Sequence, residues 1–480
     1  MDYSQFIAMK QEIALLIAFL VVFLCDTFAS PKSAKSIPVI SCICMMAVVA
    51  FGFVTIPAAS VFAFDGMYET SQVIYAIKNI LNVGVLIVLV QSLKWANSEY
   101  VAVRRGEFYE LMLHTLLGMY LMISSRHFLM FIIGLETASL PLCALVAFDK
   151  HRYESHEAAI KYVLTAVFSS AILLMGLSFI YGATGSLYYS SVAYLVRYNF
   201  GVMVVVGLAF VMAGFGFKLS LVPFHLWTAD VYQGAPVAVT SYLSVISKGS
   251  AAFAFLVVLT QVFGSVWAEA WEWMLYALII LTITVGNLFA MRQTNMKRFL
   301  AFSSISQAGY IMLAIVGHNT MGTAALMFYV LVYIFSNLAA FGVIGAIENA
   351  TGKMDMTDYN ALYRTNPRLA FTMMLAMFSL AGIPPFAGFF SKFFVFTSAL
   401  SGEASVALYV LVLIALINTI ISLYYYLLVV KAMFINPSDT PIATFRSACS
   451  ERVAMWVCVV GIIGLGIVSY FYDYLLRLVL

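Results

Sequence analysis

Apolar runs about as long as a lipid bilayer is thick recur along the whole sequence. A helix rises 1.5 Å per residue, so about 20 apolar residues cross the hydrocarbon core of a membrane. Fourteen runs of about this length lie at 11–29, 37–58, 71–93, 107–125, 127–148, 162–182, 200–222, 236–262, 273–291, 299–317, 320–347, 369–398, 404–430 and 453–476. They predict an all-α polytopic membrane protein of about fourteen transmembrane helices, forming one transmembrane domain over 1–480.

The composition agrees with a surface that faces lipid. Hydrophobic residues make up 63% of the 480 residues and charged residues 10%, whereas about 25% of the residues of soluble proteins are charged. The net charge of +3 is too small to indicate nucleic acid as a partner. Six scattered cysteines form no CxxC pair or His/Cys cluster. We therefore expect no metal or redox cofactor in this chain, and any redox chemistry in a partner.

The basic residues orient the predicted helices, because cytoplasmic loops are enriched in Lys and Arg. With an outside N-terminus, four basic residues fall on the non-cytoplasmic side: Lys10, Arg126, Arg197 and Arg477. Seventeen fall in cytoplasmic segments: Lys32, Lys35, Lys94, Arg104, Arg105, Lys150, Arg152, Lys161, Arg292, Lys297, Arg298, Lys353, Arg364, Arg368, Lys431, Arg446 and Arg452. The bias predicts that both termini lie on the non-cytoplasmic side.

Four charged residues inside the predicted spans are candidate functional residues, namely Glu136, Lys218, Lys248 and Lys392, and a further lysine, Lys78, also lies inside a span. Membrane-insertion scales put a charge at mid-helix at about 2.5–3.5 kcal/mol, so each such residue predicts a functional site or a buried partner. Lys248 and Glu136 lie too deep in their spans to reach water. Lys78 lies near the start of its span, and we expect its side chain to reach the membrane interface.

Proline breaks lie beside two of these lysines. Pro223 follows Lys218, and Pro384 and Pro385 precede Lys392. Proline interrupts a helix and frees backbone groups that lipid cannot satisfy, so each break predicts a hydrated cavity inside the protein.

Both lysines also end a G-F-x-x-K signature, and the two copies lie five predicted spans apart. An odd offset means that the copies cross the membrane in opposite directions, which is typical of inverted repeats. The pattern predicts two inverted five-helix repeats, spans 4–8 (107–262) and 9–13 (273–430), with broken helices 7 and 12. Three N-terminal helices (1–106) and a last helix (453–480) flank them.

Polar side chains between these charges are candidate proton relays: His225, Ser304, Gln307, Asn337 and Asn418. Hydrogen bonding between helices explains such hydroxyls and amides equally well. A lone histidine is likewise more often structural than catalytic, so both interpretations stay open.

The stretch from Val222 to Pro236 resembles the broken-helix motif of the antiporter-like membrane subunits of respiratory complex I. Its PFHxWxxDVYxGAP form is similar to that of the N-type subunit of bacterial NADH–quinone oxidoreductase. A departure is Ala229, where many relatives have proline. Further matching segments are 162–170, 181–186, 302–310 (FSSISQAGY) and 380–389. The resemblance covers nearly the whole chain.

This resemblance implies fourteen helices in two inverted repeats and proton transfer along Glu136, Lys218, Lys248 and Lys392. M-type relatives have a glutamate at the position of Lys392, and L-type relatives are longer and end in a lateral helix. Other complex I membrane subunits and a peripheral redox arm are the implied partners, with flavin, iron–sulfur clusters and quinone in those partners. The implied location is the bacterial inner membrane.

The resulting hypothesis makes Glu136 and Lys218 a switching ion pair, which on separating passes the Lys218 proton to Lys248 and then to Lys392. The main alternative is a subunit of a multi-subunit sodium–proton antiporter. Two others are the equivalent subunit of a ferredoxin-linked complex and a purely structural membrane subunit.

Overall fold

A computed structural model of the chain describes residues 3–30, 33–99, 101–198, 200–266, 271–401, 405–468 and 470–480. Three details of the sequence predictions lie outside these ranges: the loop residue Lys32, the start of span 404–430 and position 469 of the last span.

The described chain is nearly all helical. Its helices are α1 (Lys10–Thr27), α2 (Ile37–Val54), α3 (Gln72–Ala96), α4 (Arg105–Ser124), α5 (Phe128–Val146), α6 (Tyr153–Thr184), α7 (Tyr189–Tyr198), α8 (Val202–Leu219), α9 (Leu226–Gly234), α10 (Val237–Tyr242), α11 (Lys248–Gln261), α12 (Glu272–Ala290), α13 (Met296–Val316), α14 (Thr320–Thr351), α15 (Leu362–Thr365), α16 (Pro367–Ala381), α17 (Ala387–Leu400), α18 (Val406–Phe434), α19 (Cys449–Ile467) and α20 (Tyr470–Val479). A hairpin of strands β1 (Val61–Ala63) and β2 (Tyr68–Thr70) joins α2 to α3. Short 3₁₀ helices lie at Tyr3–Met9, Ser33–Ser36, Ala102–Arg104, Gly264–Val266 and Met356–Tyr359, and a π-helical turn lies at Leu243–Ser247.

Twelve helical segments within the described ranges are long and apolar enough to cross a membrane. This confirms the predicted all-α polytopic class. The predicted span 107–125 coincides with α4, which is less apolar than those twelve, and span 369–398 coincides with the shorter pair α16 and α17. The count of fourteen and the inverted repeats stay predictions.

The two expected helix breaks are present. Helix α8 ends at Leu219, where Ser220 adopts a left-handed φ of +61°, and the chain resumes as α9 three residues after Pro223. Helix α16 ends at Ala381 and is capped by Gly382, whose left-handed φ of +87° suits a residue without a side chain. Helix α17 begins after the proline pair.

Two further interruptions were not expected. The predicted span 236–262 consists of α10, the π-helical turn and α11. The helix therefore changes from α-helical to π-helical hydrogen bonding just before Lys248. The predicted last span 453–476 ends early, because α19 stops at Ile467 and the short helix α20 follows. Tyr470, Asp473 and Arg477 give α20 a polar face, and an uninterrupted apolar span does not tolerate one.

The centre of the bundle is formed by three segments: α13, α14 and the segment Val237–Gln261. Within their most apolar windows, 100% of the α13 residues, 89% of the α14 residues and 94% of the Val237–Gln261 residues are buried, against 28% for the first span. Polar side chains on these helices therefore face protein rather than lipid, which removes most of the cost of placing them at membrane depth.

Helix α5 packs on α4 at very short range through two glycines. A Cβ atom added to Gly118 would lie 2.3 Å from the backbone nitrogen of Ala138, and one added to Gly134 would lie 2.5 Å from that of Met122. Small residues allow two helices to approach this closely in a membrane. The contact fixes the depth of Glu136, which lies between Gly134 and Ala138 on α5.

Candidate functional site

Lys218 lies at the break of the seventh predicted span, in the last turn of α8. Its side chain is buried, and its Nζ donates a hydrogen bond to the Ser139 Oγ on α5 at 2.7 Å. Ser139 lies three residues after Glu136, so this contact brings Lys218 to the same part of α5 as the glutamate.

Glu136 and Lys218 do not form an ion pair in this structure. Among the residues described, no Lys–carboxylate contact within 4.0 Å joins them. The Oε1 of Glu136 is buried and has no hydrogen-bond partner in the described chain. The carboxylate thus keeps a free acceptor, while the ammonium is held by a neutral hydroxyl.

Lys248 begins α11 directly after the π-helical turn. It is 2% exposed, its Nζ donates to the Ser304 Oγ on α13 at 2.5 Å, and it lies 5.6 Å from the ring centre of Tyr232. The Tyr232 hydroxyl lies 3.5 Å from the same Ser304 oxygen. The partners of this central lysine are therefore a hydroxyl and an aromatic ring, both uncharged. Short π-helical turns often mark functional sites.

Gln307 lies one turn beyond Ser304 on α13 and is a hydrogen-bond hub. Its Nε2 donates to the Tyr426 hydroxyl at 3.0 Å and to the Leu380 carbonyl at 3.2 Å, and its Oε1 accepts a hydrogen bond from Tyr329. These contacts connect three helices that surround α13, namely α14, α16 and α18.

Lys392 lies on α17, after its break, and its side chain reaches back across the break. Its Nζ donates to the carbonyl oxygens of Leu380 at 3.0 Å and Ala381 at 3.1 Å, and it lies 4.9 Å from the ring centre of Tyr310. The last carbonyls of a helix have no intrahelical partner and carry a partial negative charge. Lys392 and Gln307 thus donate to the same oxygen, that of Leu380.

A small cavity separates these two side chains. Its volume is about 10 Å³, which is about the space of one water molecule. It is lined by Gln307, Tyr329, Val332, Tyr333, Ser336, Ser379, Leu380, Gly388, Ser391 and Lys392.

The other three candidate relays differ in their surroundings. The Asn337 Nδ2 donates to the Ser244 Oγ in the π-helical turn at 2.7 Å, one turn before Lys248. His225 precedes α9, and its Nδ1 is buried without a hydrogen-bond partner in the described chain. Asn418 bonds to Thr284 and to Asn287 on α12, which is a contact between α12 and α18. The structure thus brings Asn337 to the Lys248 region, whereas Asn418 takes part in helix packing.

The expectation for Lys78 was wrong. Its Nζ lies 2.5 Å from the Glu12 Oε1, and both side chains are buried. The Tyr68 hydroxyl donates to the other Glu12 oxygen at 2.9 Å, and the rings of Tyr68 and Tyr120 flank the ammonium. An ion pair satisfies both charges inside the protein, so the lysine does not extend to the interface. The available signal was Glu12, an acidic residue near the non-cytoplasmic end of the first predicted span, the same side of the membrane from which the Lys78 span starts.

Sequence reasoning also missed a set of ion pairs at the end of the bundle where the predicted cytoplasmic loops lie. Lys297, predicted to lie in a loop, is fully buried and lies 3.4 Å from the Glu348 Oε1, which also pairs with Arg152 at 2.6 Å. Asp230 of α9 pairs with Lys161 at 2.6 Å and with Arg298 at 2.5 Å. Within the described residues, no group of three or more His, Cys, Asp or Glu side chains could hold a metal ion.

Comparisons with known proteins agree over nearly the full length. The model of the family "NADH:quinone oxidoreductase/Mrp antiporter, TM" matches residues 125–422. The "NADH-quinone oxidoreductase subunit N" of Azobacteroides pseudotrichonymphae genomovar. CFP2 is 50% identical over 99% of this chain and 98% of its own length.

Two solved structures show the same fold. A chain of respiratory complex I from Thermus thermophilus with bound aureothin is 32% identical, with a TM-score of 0.80 over 96% of this chain and 97% of that one. A chain of the Mrp complex from Dietzia sp. DQ12-45-1b is 20% identical, with a TM-score of 0.86 over 100% and 97%. The buried lysines, the two broken helices and these matches lead to one conclusion: the chain belongs to the NADH:quinone oxidoreductase/Mrp antiporter family of membrane proteins.

Proposed function

We propose that this chain is the antiporter-like, N-type membrane subunit of an NADH–quinone oxidoreductase. In this proposal it carries protons across the membrane along Glu136, Lys218, Lys248 and Lys392. The observation that carries the proposal is the set of three buried lysines whose described hydrogen-bond acceptors are hydroxyl and carbonyl oxygens rather than carboxylates. Such acceptors can hold an ammonium group, yet they leave its proton free to move.

The first step is a change of partner at Lys218. Its present acceptor is Ser139, and the Glu136 carboxylate on the same face of α5 retains a free oxygen. Movement of α8 towards Glu136 would form an ion pair that holds the Lys218 proton, since an opposite charge favours the protonated form. Opening that pair releases the proton towards Lys248. His225, beside the same break, is a candidate relay for this transfer.

The second step runs from Lys248 to Lys392 along α13. Two contacts support this route: Lys248 donates to Ser304, and one turn further Gln307 shares the Leu380 carbonyl with Lys392. An amide is a poor proton carrier, so we assign Gln307 a positioning role and place the moving proton on hydroxyls and on water in the small cavity.

Neutral partners bind the lysine ammonium with less free energy than is needed to move a charge across the membrane potential. Moving one charge against 100 mV requires about 2.3 kcal/mol. An interaction with helix-end carbonyls is worth about 0.3–2 kcal/mol, so Lys392 can hold a proton without trapping it.

The assembly follows from the same proposal. The chain lies in the bacterial inner membrane with both termini on the non-cytoplasmic side. Its partners are neighbouring antiporter-like and small membrane subunits, and flavin, iron–sulfur clusters and quinone belong to partner subunits. The layout is a three-helix N-terminal part (1–106), the repeats 107–262 and 273–430, and a C-terminal part (453–480) in which the short helix α20 follows the last span.

The deciding experiment replaces Lys248 in the complete complex in native membranes. We would compare Lys248→Ala and Lys248→Arg, and record the NADH–quinone reductase rate, proton uptake into vesicles and sodium–proton exchange. Arginine keeps the charge but does not release its proton, so both variants are expected to lose both quinone reduction and proton uptake. Lys431→Ala, which removes an exposed lysine at the end of α18, is the matched control.

Other outcomes would assign the function differently. Full proton uptake in Lys248→Arg would show that the charge matters but proton release does not. Unchanged NADH oxidation with lost sodium–proton exchange would identify an antiporter subunit. Unchanged activity in both variants would favour a structural role.

A further inference from the structure

A large groove opens away from the lysine axis, at the end of the bundle where most of the loop lysines and arginines lie. It has a volume of about 910 Å³ and is bordered by the beginnings of α16 and α19 and by the segment 444–447 that precedes α19. This site is independent of the proton path, because it contains none of the residues assigned to that path.

The wall of the groove is positively charged at one end. Three arginines line it, Arg368, Arg446 and Arg452, and its lining residues include no Asp or Glu. No ion pair within 4.0 Å involves these arginines in the described part of the chain. The Nε of Arg452 is buried and lacks a hydrogen-bond acceptor there. A buried, unsatisfied guanidinium donor calls for an anionic ligand.

The rest of the wall is apolar and runs along α16 and α19 away from the arginines. Phe371 and Leu375 lie one turn apart on α16, and Val453 and Trp456 do so on α19. Phe371 is 51% exposed and Trp456 is 66% exposed, which is typical of surfaces that face acyl chains near the membrane interface. A ligand of this groove therefore combines an anionic head with a long apolar tail.

We propose that this groove binds one anionic phospholipid, with its phosphate on Arg446 and Arg452 and an acyl chain along Phe371 and Trp456. Basic pockets between transmembrane helices on the cytoplasmic side suit anionic headgroups. A free phosphate would leave the apolar wall uncovered, and a zwitterionic lipid would bring no net charge to three arginines. The groove thus selects the lipid by its headgroup.

The test places a photoreactive group in the groove of the intact complex. Phe371→p-benzoylphenylalanine would be introduced into the wild-type background, an Arg446→Gln/Arg452→Gln background and an Arg364→Gln background. Arg364 is an exposed arginine close by that does not line the groove. After illumination, mass spectrometry identifies the adduct, and phosphatidylglycerol retained by the purified complex is counted in parallel.

The expected adduct is an anionic phospholipid, with a yield that falls on the order of tenfold in the double variant and does not change in Arg364→Gln. A polypeptide adduct would overturn the proposal and identify the groove as a subunit interface. Phospholipid adducts that mirror the bulk membrane composition in every background would also overturn it, as would equal phosphatidylglycerol retention in all of them. The single variant Arg446→Gln, at an exposed position, serves if the double variant fails to assemble.

Discussion

Lys78 and Lys248 are both buried lysines, yet their partners differ. Lys78 is held by the Glu12 carboxylate at 2.5 Å, whereas Lys248 is held by the Ser304 hydroxyl at 2.5 Å and faces a tyrosine ring. A carboxylate partner stabilises the protonated lysine in place. A hydroxyl partner can accept from an ammonium or donate to an amine, so it tolerates both protonation states. Burial alone therefore does not identify a lysine that carries protons. The chemical nature of its hydrogen-bond partner distinguishes a carrier from a lysine held in a fixed ion pair.

The largest effect is expected on stability, when the Glu12 carboxylate that pairs with Lys78 is removed. Glu12→Gln leaves the Lys78 ammonium buried without an opposite charge, which is expected to cost about 3–5 kcal/mol of stability. The measurement is the thermal stability of the purified complex and the amount of this chain retained in it. Glu107→Gln, at an exposed position of α4, is the control. The double variant Glu12→Gln/Lys78→Met should recover much of the loss, and a Glu12→Gln complex as stable as the parent would contradict the comparison.

Removing the hydroxyl partner is expected to affect transport rather than assembly. Ser304→Ala takes away the acceptor of the Lys248 ammonium, and a hydrogen bond to a charged group is worth about 1.5–3 kcal/mol, so proton uptake should slow by about tenfold or more. Because Lys248 can lose its proton, the complex should assemble. The rate of proton uptake into vesicles and the yield of complex are measured together. Ser250→Ala is the control, because the Ser250 hydroxyl donates to the backbone carbonyl of Ser247 and does not contact Lys248. A stability loss without slower uptake would refute this role for Ser304.

A smaller effect is expected at the shared carbonyl. Gln307→Leu removes the amide that donates to the Leu380 oxygen beside Lys392, together with its hydrogen bonds to two tyrosine hydroxyls. Lys392 keeps both its carbonyl acceptors, so the expected loss is about 1 kcal/mol, or about fivefold in proton uptake. Gln91→Leu is the control, since Gln91 also donates to a helix carbonyl, that of Leu338. Equal losses in both variants would indicate general packing damage instead.

The smallest effect concerns Asp230 of α9, which is ion-paired like Glu12 but one-third exposed. Burial raises the pKa of Asp230, but the hydrogen bonds from Lys161 and Arg298 outweigh it, and the pKa lies below its ordinary value. A carboxyl with a lowered pKa stabilises the folded state above its unfolded pKa of about 3.9 and loses that contribution only as the pH falls further. Asp230→Asn should therefore cost at most about 1 kcal/mol, equally at pH 8 and pH 5. Thermal unfolding at the two pH values measures it, and a loss that vanishes at pH 5 would exclude this assignment.

The sequence predicted the membrane class and both proline breaks because these depend on local properties. Apolar length decides whether a helix can span the bilayer, and proline interrupts a helix wherever it stands. The π-helical turn before Lys248 has no such marker, since Leu243–Ser247 contains neither proline nor glycine. The two residues of the Lys78–Glu12 pair are 66 positions apart in sequence, so only the packing of the bundle reveals the pair.

One sequence argument does not survive comparison with the structure. The two G-F-x-x-K copies were expected to occupy matching places in inverted repeats. Lys218 lies in the helix before its break, whereas Lys392 lies in the helix after its own. The signature therefore does not support the repeat, which rests on the resemblance alone. Spacing along the chain reveals that a lysine is near a break but not on which side of it the ammonium acts.

The carbonyls that hold Lys392 have a consequence for the way this site can change over time. No codon specifies a backbone oxygen, so exchanging Leu380 or Ala381 for another residue leaves both acceptors in place. Sequence comparison at these two positions would therefore not reveal the acceptors, although the Leu380 side chain lines the small cavity and affects the water it can hold. A change that shortens α16 or shifts its end would move these carbonyl oxygens relative to the Lys392 ammonium. The length of that half-helix is therefore the feature that evolution must preserve in this part of the site.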